Sequence, residues 1–93
     1  MQSIIQKEKV CYFCGRTDHL EEHHCISGSG FRKLAEKYGL KVWLCEMCHR
    51  DGKTGVHGQG LRKKRQLQKV AQRAFERLYG HAEWMRIFMR NYL

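Results

Sequence analysis

Nowhere in this chain of 93 residues is there an apolar run long enough to cross a bilayer. Nothing near the start resembles the hydrophobic segment of a secretory signal either, since Met1 to Lys9 is short and polar. A membrane protein and a secreted disulfide scaffold are therefore not expected, and the reducing cytoplasm is the expected compartment. No internal repeat is visible. Length is scarce as well: 93 residues make one domain, 1–93, too small for its core alone to give more than marginal stability. Such a chain needs a staple.

Acidic residues are also few, and their scarcity is local. Residues 1–59 carry nine Lys/Arg against seven Asp/Glu, but residues 60–93 carry nine against two, so +7 of the net charge of +9 is C-terminal. A concentrated cationic surface suits a polyanion such as nucleic acid, although a charge run can be simply a solvated helix face.

What is present begins with cysteine. Cys11 and Cys14 form one C-x2-C pair, Cys45 and Cys48 another, with thirty residues between them. In a reducing compartment thiols persist as metal ligands, and four soft donors from two turns match a tetrahedral structural zinc with no open position for catalysis. The bland alternative is that they are small buried apolar groups. The fifth, Cys25, reads as an ordinary strand residue.

Around the pairs, Leu20 to Ile26 reads as a short strand bearing Glu21, Glu22, His23 and His24, broken by Ser27-Gly-Ser-Gly30. Phe31 to Tyr38 reads as a helix stopped by Gly39, and Leu40 to Cys45 as a second strand with a helical turn after Cys48. Gly52 to Gly60, with four glycines and His57, reads as a flexible loop. Leu61 to Tyr79 has the clearest helical periodicity: Leu67, Val70, Ala71, Ala74, Phe75 and Leu78 share one face, Arg62, Arg65, Lys69 and Arg73 the other. After Gly80, His81 to Leu93 reads as a last helix whose Trp84, Met85, Phe88, Met89 and Tyr92 can pack on the core. Met1 to Lys9 is expected to fray or to pair weakly.

Adjacent strand residues point to opposite faces, so His23 and His24 cannot serve one ion in the same way. One can bind a divalent metal while the other takes a proton from water. Taken singly, each histidine of the chain could equally be a spare zinc ligand or a solvated loop residue.

Cys11-x2-Cys14, Glu22-His23-His24, Leu44-Cys45-Glu-Met-Cys48-His49 and His57 together resemble the HNH endonuclease family in its zinc-bearing ββα-metal form. More closely, His23-His24, Gly28-Ser-Gly-Phe-Arg-Lys33, Glu36-Lys-Tyr-Gly39, Trp43-Leu-Cys45 and Gly55-Val-His-Gly58 look like small HNH-like proteins of phages and prophages, which would place the chain in a host-cell cytoplasm. The resemblance implies a small α+β fold: a zinc-stapled ββα-metal core over 10–58, followed by two C-terminal helices over 61–93. It implies that His23 and His49, with His57 as a closing ligand, bind a catalytic Mg2+, Mn2+, Ni2+ or Zn2+, and that His24 is the general base. DNA is the implied partner, met through the phosphate backbone by Arg32, Lys33, Arg62, Arg65, Lys69 and Arg73. The Asn that usually braces the general-base loop is absent, with Gly39, Leu40 and Lys41 in its place, so another residue must do that work.

The leading expectation is thus a metal-dependent endonuclease. A non-catalytic zinc-knuckle protein binding DNA in phage recombination or replication is the second. A third is a protein-interaction module using the Trp/Met/Phe stripe.

Overall fold

The computed structural model describes residues 1–28, 30–50 and 60–93. Its order is β1 (Leu20–His24), α1 (Phe31–Tyr38), β2 (Lys41–Cys45), α2 (Glu46–Arg50), α3 (Leu61–Tyr79) and α4 (His81–Phe88). The class is small α+β. No helix among the described residues is long and apolar enough to cross a membrane.

β1 and β2 form a two-stranded antiparallel sheet in which Glu22 faces Trp43, His23 faces Val42 and His24 faces Lys41. Period-two alternation then sorts the side chains. Glu21 and His23 share a face with the buried Val42 and Leu44, whereas Glu22 and His24 share the other with Lys41 and Trp43. The strand ends at His24, two residues earlier than the sequence suggests. Cys25 still donates its N–H to the Leu40 carbonyl at 2.9 Å, but the chain then turns and buries Cys25 and Ile26 in the core.

The short helix α1 stops at Gly39, whose φ of 69° is left-handed and whose N–H returns to the Ala35 and Glu36 carbonyls. One side of α1 meets the C-terminal helices through Tyr38, 5.2 Å from Phe75, and Phe31, 6.0 Å from Phe88 (ring centroids). Phe75 is the hub of this cluster, with Trp84 at 5.4 Å and Tyr79 at 4.7 Å. Trp84 is stacked on Phe88 at 4.1 Å, and its indole N–H is satisfied by the Arg90 carbonyl at 2.8 Å. The aromatic stripe is therefore core, which removes the main support for the protein-interaction reading.

Two expectations differ from the structure. The last helix ends at Phe88 rather than at Leu93, because Met89 turns left-handed at φ 55° and the tail folds back. The buried Gln72 holds that tail, accepting from the Tyr92 N–H and donating to Asn91, each at 2.7 Å. Leu78 and Met89, assigned to packing faces, are 62% and 73% exposed. Of the two outcomes expected for the N-terminal arm, fraying or pairing, the second is found: Ile4 donates to the Gly39 carbonyl at 2.9 Å, and Gln6 accepts from the Trp43 N–H at 2.7 Å.

The docked arm makes Gly39 doubly constrained, since a Cβ there would collide with the Gln2 carbonyl as well as occupy a left-handed backbone. Gly30 has a similar φ of 82° but open space around its Cβ position. Gly30→Ala should cost about 1–2 kcal/mol from conformation alone, and Gly39→Ala clearly more. Thermal melts of the two variants check this, and equal losses would mean that the arm is not seated as described.

Candidate metal centre and histidine cluster

Cys11 and Cys14 lie on a tight turn in which Gly15, at φ 78°, donates to the Cys11 carbonyl at 2.9 Å. Tyr12 ties that turn to β2 by donating to the Trp43 carbonyl at 2.9 Å. Cys45 ends β2 and Cys48 lies within α2, which begins at Glu46, so the helix starts inside the second pair rather than after it. The four sulfurs all lie within 4.8 Å of one another, with Cys14 Sγ and Cys45 Sγ 3.5 Å apart. None of the cysteines is in a disulfide.

The chemistry of this donor set fits a divalent cation. Burial opposes ionisation of Cys11, but backbone N–H groups of Cys45, Cys14 and Phe13 outweigh it and bring its thiol down to about 6. Burial and the neighbouring sulfurs push Cys48 up to about 12. At Cys14 the Arg16 N–H favours the thiolate, yet the Cys11 and Cys45 sulfurs together turn the net shift upward. One thiolate forms readily and resists its neighbours, a conflict that a doubly charged ion removes. The four cysteines could hold a structural metal such as zinc. Cys25 stands apart: burial alone pushes its thiol up to about 12, in keeping with a core role.

The histidines sort by strand face. His23 is buried, and its ring lies 5.2 Å from that of His49 on α2. His49 directly follows Cys48, so the cysteine cluster and this pair share one short helix. The Nδ1 of His49 meets Glu21 Oε1 at 2.9 Å, and Glu21 also pairs with Arg50 at 2.6 Å. The His49 contact, with Arg50, holds the Glu21 carboxyl below its ordinary range despite partial burial. On the other face, His24 Nε2 lies 3.0 Å from Glu36 Oε1. Lys41 bridges Glu36 at 2.9 Å and Glu22 at 3.0 Å.

A shallow hollow is lined by Glu22, His23, His24, Ser27, Arg32 and His49. It brings together His23, His24, His49 and Arg32, while Arg32 and Lys33 also flank His24 and Glu36. The remaining expected ligand, His57, lies outside the described residues. Among the described residues, the four cysteines are the only group of three or more His, Cys, Asp or Glu donors drawn together. Arg62, Arg65, Lys69 and Arg73 are all exposed on α3. Arg90 of the tail joins Arg65 and Lys69 around a surface groove, an addition the sequence conceals because the tail reads as helix. Glu21 and Glu36 also escape a reading of the sequence: no local spacing marks them, since only the fold sets Glu36 against His24.

Compared with known proteins, the chain matches no family model, no curated protein and no solved structure.

If zinc fills the cysteine cluster, purified protein carries one equivalent of it, and Cys11→Ser or Cys48→Ser unfolds the chain. Elemental analysis with circular dichroism on all three proteins checks this. Folded wild type without zinc would refute the cluster's structural role.

Proposed function

We propose that the protein is a metal-dependent HNH-type endonuclease that hydrolyses DNA phosphodiester bonds. The observation that carries the reading is the pairing of His23 with His49, whose Nδ1 is engaged by Glu21, beside a separately held His24. A carboxylate on the far ring nitrogen is how proteins commonly orient an imidazole for a metal. β1, β2 and α2 follow one another in the order the ββα-metal motif requires, with α1 inserted between the strands, and the cysteine cluster joins the end of β2 to α2.

On this reading His23 and His49 hold a divalent ion, which when bound stabilises negative charge on the scissile phosphate and the leaving oxygen. His24, on the opposite strand face, accepts a proton from the attacking water. The water oxygen bonds to phosphorus as the bond from phosphorus to the leaving sugar oxygen breaks. Arg32, in the same hollow, contributes a phosphate contact. The exposed cations of α3, with Arg90, track the backbone and carry no base reading.

His24→Ala should retain zinc and DNA binding yet lose about 10²-fold or more in cleavage rate. His23→Ala and His49→Ala should instead weaken the catalytic ion, so excess Mn2+ restores part of their rate and none of that lost with His24. Plasmid cleavage across Mg2+, Mn2+ and Ni2+ distinguishes the cases. A wild type that binds DNA but cleaves nothing with any metal would favour the accessory-protein reading.

The exposed face of α3 has its own test. Neutralising Arg62, Arg65, Lys69 and Arg73 should weaken binding to every sequence alike, and the slope of log affinity against log salt should become shallower by about 0.9 for every phosphate no longer neutralised. Salt titrations by fluorescence anisotropy measure both, and an unchanged slope would reduce the face to ordinary solvation.

A further inference from the structure

We propose that Glu36 is the positioning residue for His24: its carboxylate accepts the Nε2–H and so holds the ring in the tautomer that leaves Nδ1 as the proton acceptor. The inference deepens the nuclease reading and rests on it for the role of His24, but the contact itself is independent of any activity.

α1 sets the position of this carboxylate. Phe31 and Tyr38 bind the helix to Phe88 and Phe75, which turns Glu36 toward the sheet. There Glu36 Oε1 lies 3.0 Å from His24 Nε2 and 3.2 Å from Lys41 Nζ. Its Oε2 lies 2.9 Å from the same Lys41 Nζ and 3.0 Å from the Met1 amine. His24 first, then Lys41 and the amine, bring the carboxyl down to about 2, so it is ionised throughout the working range. An ionised carboxylate only accepts hydrogen bonds. The shared proton must therefore sit on Nε2, and among the described residues Nδ1 has no hydrogen-bonding partner.

Lys41 has a part in this as well. It is buried, faces His24 directly across the sheet, and is neutralised by both Glu22 and Glu36. Its ammonium spans both Glu36 oxygens, sharing Oε1 with the imidazole, and so limits rotation of that carboxylate. This is the bracing duty left open by the missing Asn, met from a helix rather than from the loop that follows the base.

A purely structural ion pair would move stability alone, so the test reads the ring itself. Two-dimensional 15N–1H correlation of zinc-loaded wild type should show His24 as the Nε2–H tautomer. Glu36→Ala should shift it toward a mixture, with zinc and DNA affinity retained. Glu36→Gln, which keeps an acceptor oxygen, should restore most of the Nε2–H form. In cleavage assays kcat should fall about 10- to 100-fold in Glu36→Ala with KM unchanged, and Glu36→Gln should lie between it and wild type. A His24 tautomer unaltered in folded Glu36→Ala would overturn the proposal. So would a uniform loss explained by a lower melting temperature. If wild type does not cleave while the tautomer still follows Glu36, the nuclease reading fails and the control of His24 by Glu36 stands.

Discussion

The convergence of four sulfurs from two distant turns is the constraint on which the remainder of the molecule depends. They are brought within bonding reach of one cation although their mutual influence, strongest at Cys48, opposes shared ionisation. Domains of this size have net stabilities of only about 5–15 kcal/mol, and structural zinc in small domains contributes on the order of 10 kcal/mol or more near neutral pH. An ion here would thus be comparable to the whole margin of stability. It would also set geometry, because Cys45 ends β2, Cys48 lies on α2 and His49 is the next residue. Displacing the cluster would displace His49 from both Glu21 and His23.

α1 is the second organising element, because its two sides answer to different parts of the chain. Its aromatic side completes the cluster around Phe75 and Trp84, and its polar side delivers Glu36 to His24 and Lys41. The C-terminal helices, remote in sequence from the histidines, thereby influence their surroundings. Phe31, Leu34, Ala35 and Tyr38 form the apolar side that sets the rotation of α1, and because eight residues are too few to be helical on propensity alone, their packing on the core also sustains the helix.

The parts of this arrangement legible in the sequence are those encoded by spacing. The C-x2-C pairs, the breaks at Gly30 and Gly39, and the periodicity of Leu61–Tyr79 are local signals, and most element boundaries lie within a residue or two of where those signals put them. Alternation along a strand is enough to separate His23 from His24. What stays hidden is set by contacts across the chain. The docked N-terminal arm depends on hydrogen bonds to Gly39, Lys41 and Trp43 and on the packing of Ile4 and Ile5 against the core, and two apolar residues in a polar stretch do not announce that in the sequence. The shorter last helix depends on Gln72, a polar residue in an apolar stripe whose burial is explained by the three backbone and side-chain groups it satisfies, on Glu76, Asn91 and Tyr92. Glu21 and Glu36 look, in the sequence, like ordinary surface acids.

Those two carboxylates suggest why two adjacent histidines can differ in chemistry. On one strand face Glu36 engages His24 itself, whereas on the other Glu21 engages His49 of α2, the ring that lies beside His23. The third acid of the group, Glu22, is drawn to Lys41 and not to a ring. Arg50, Lys41 and the Met1 amine pair with Glu21, Glu22 and Glu36, so these ion pairs are together neutral, while the basic excess lies on α3 and the tail. On the nuclease reading this separation has a physical use. A cluster of bare cations at the histidines would repel a divalent ion, whereas cations placed along α3 can attract a polyanion without raising the potential where the metal must bind.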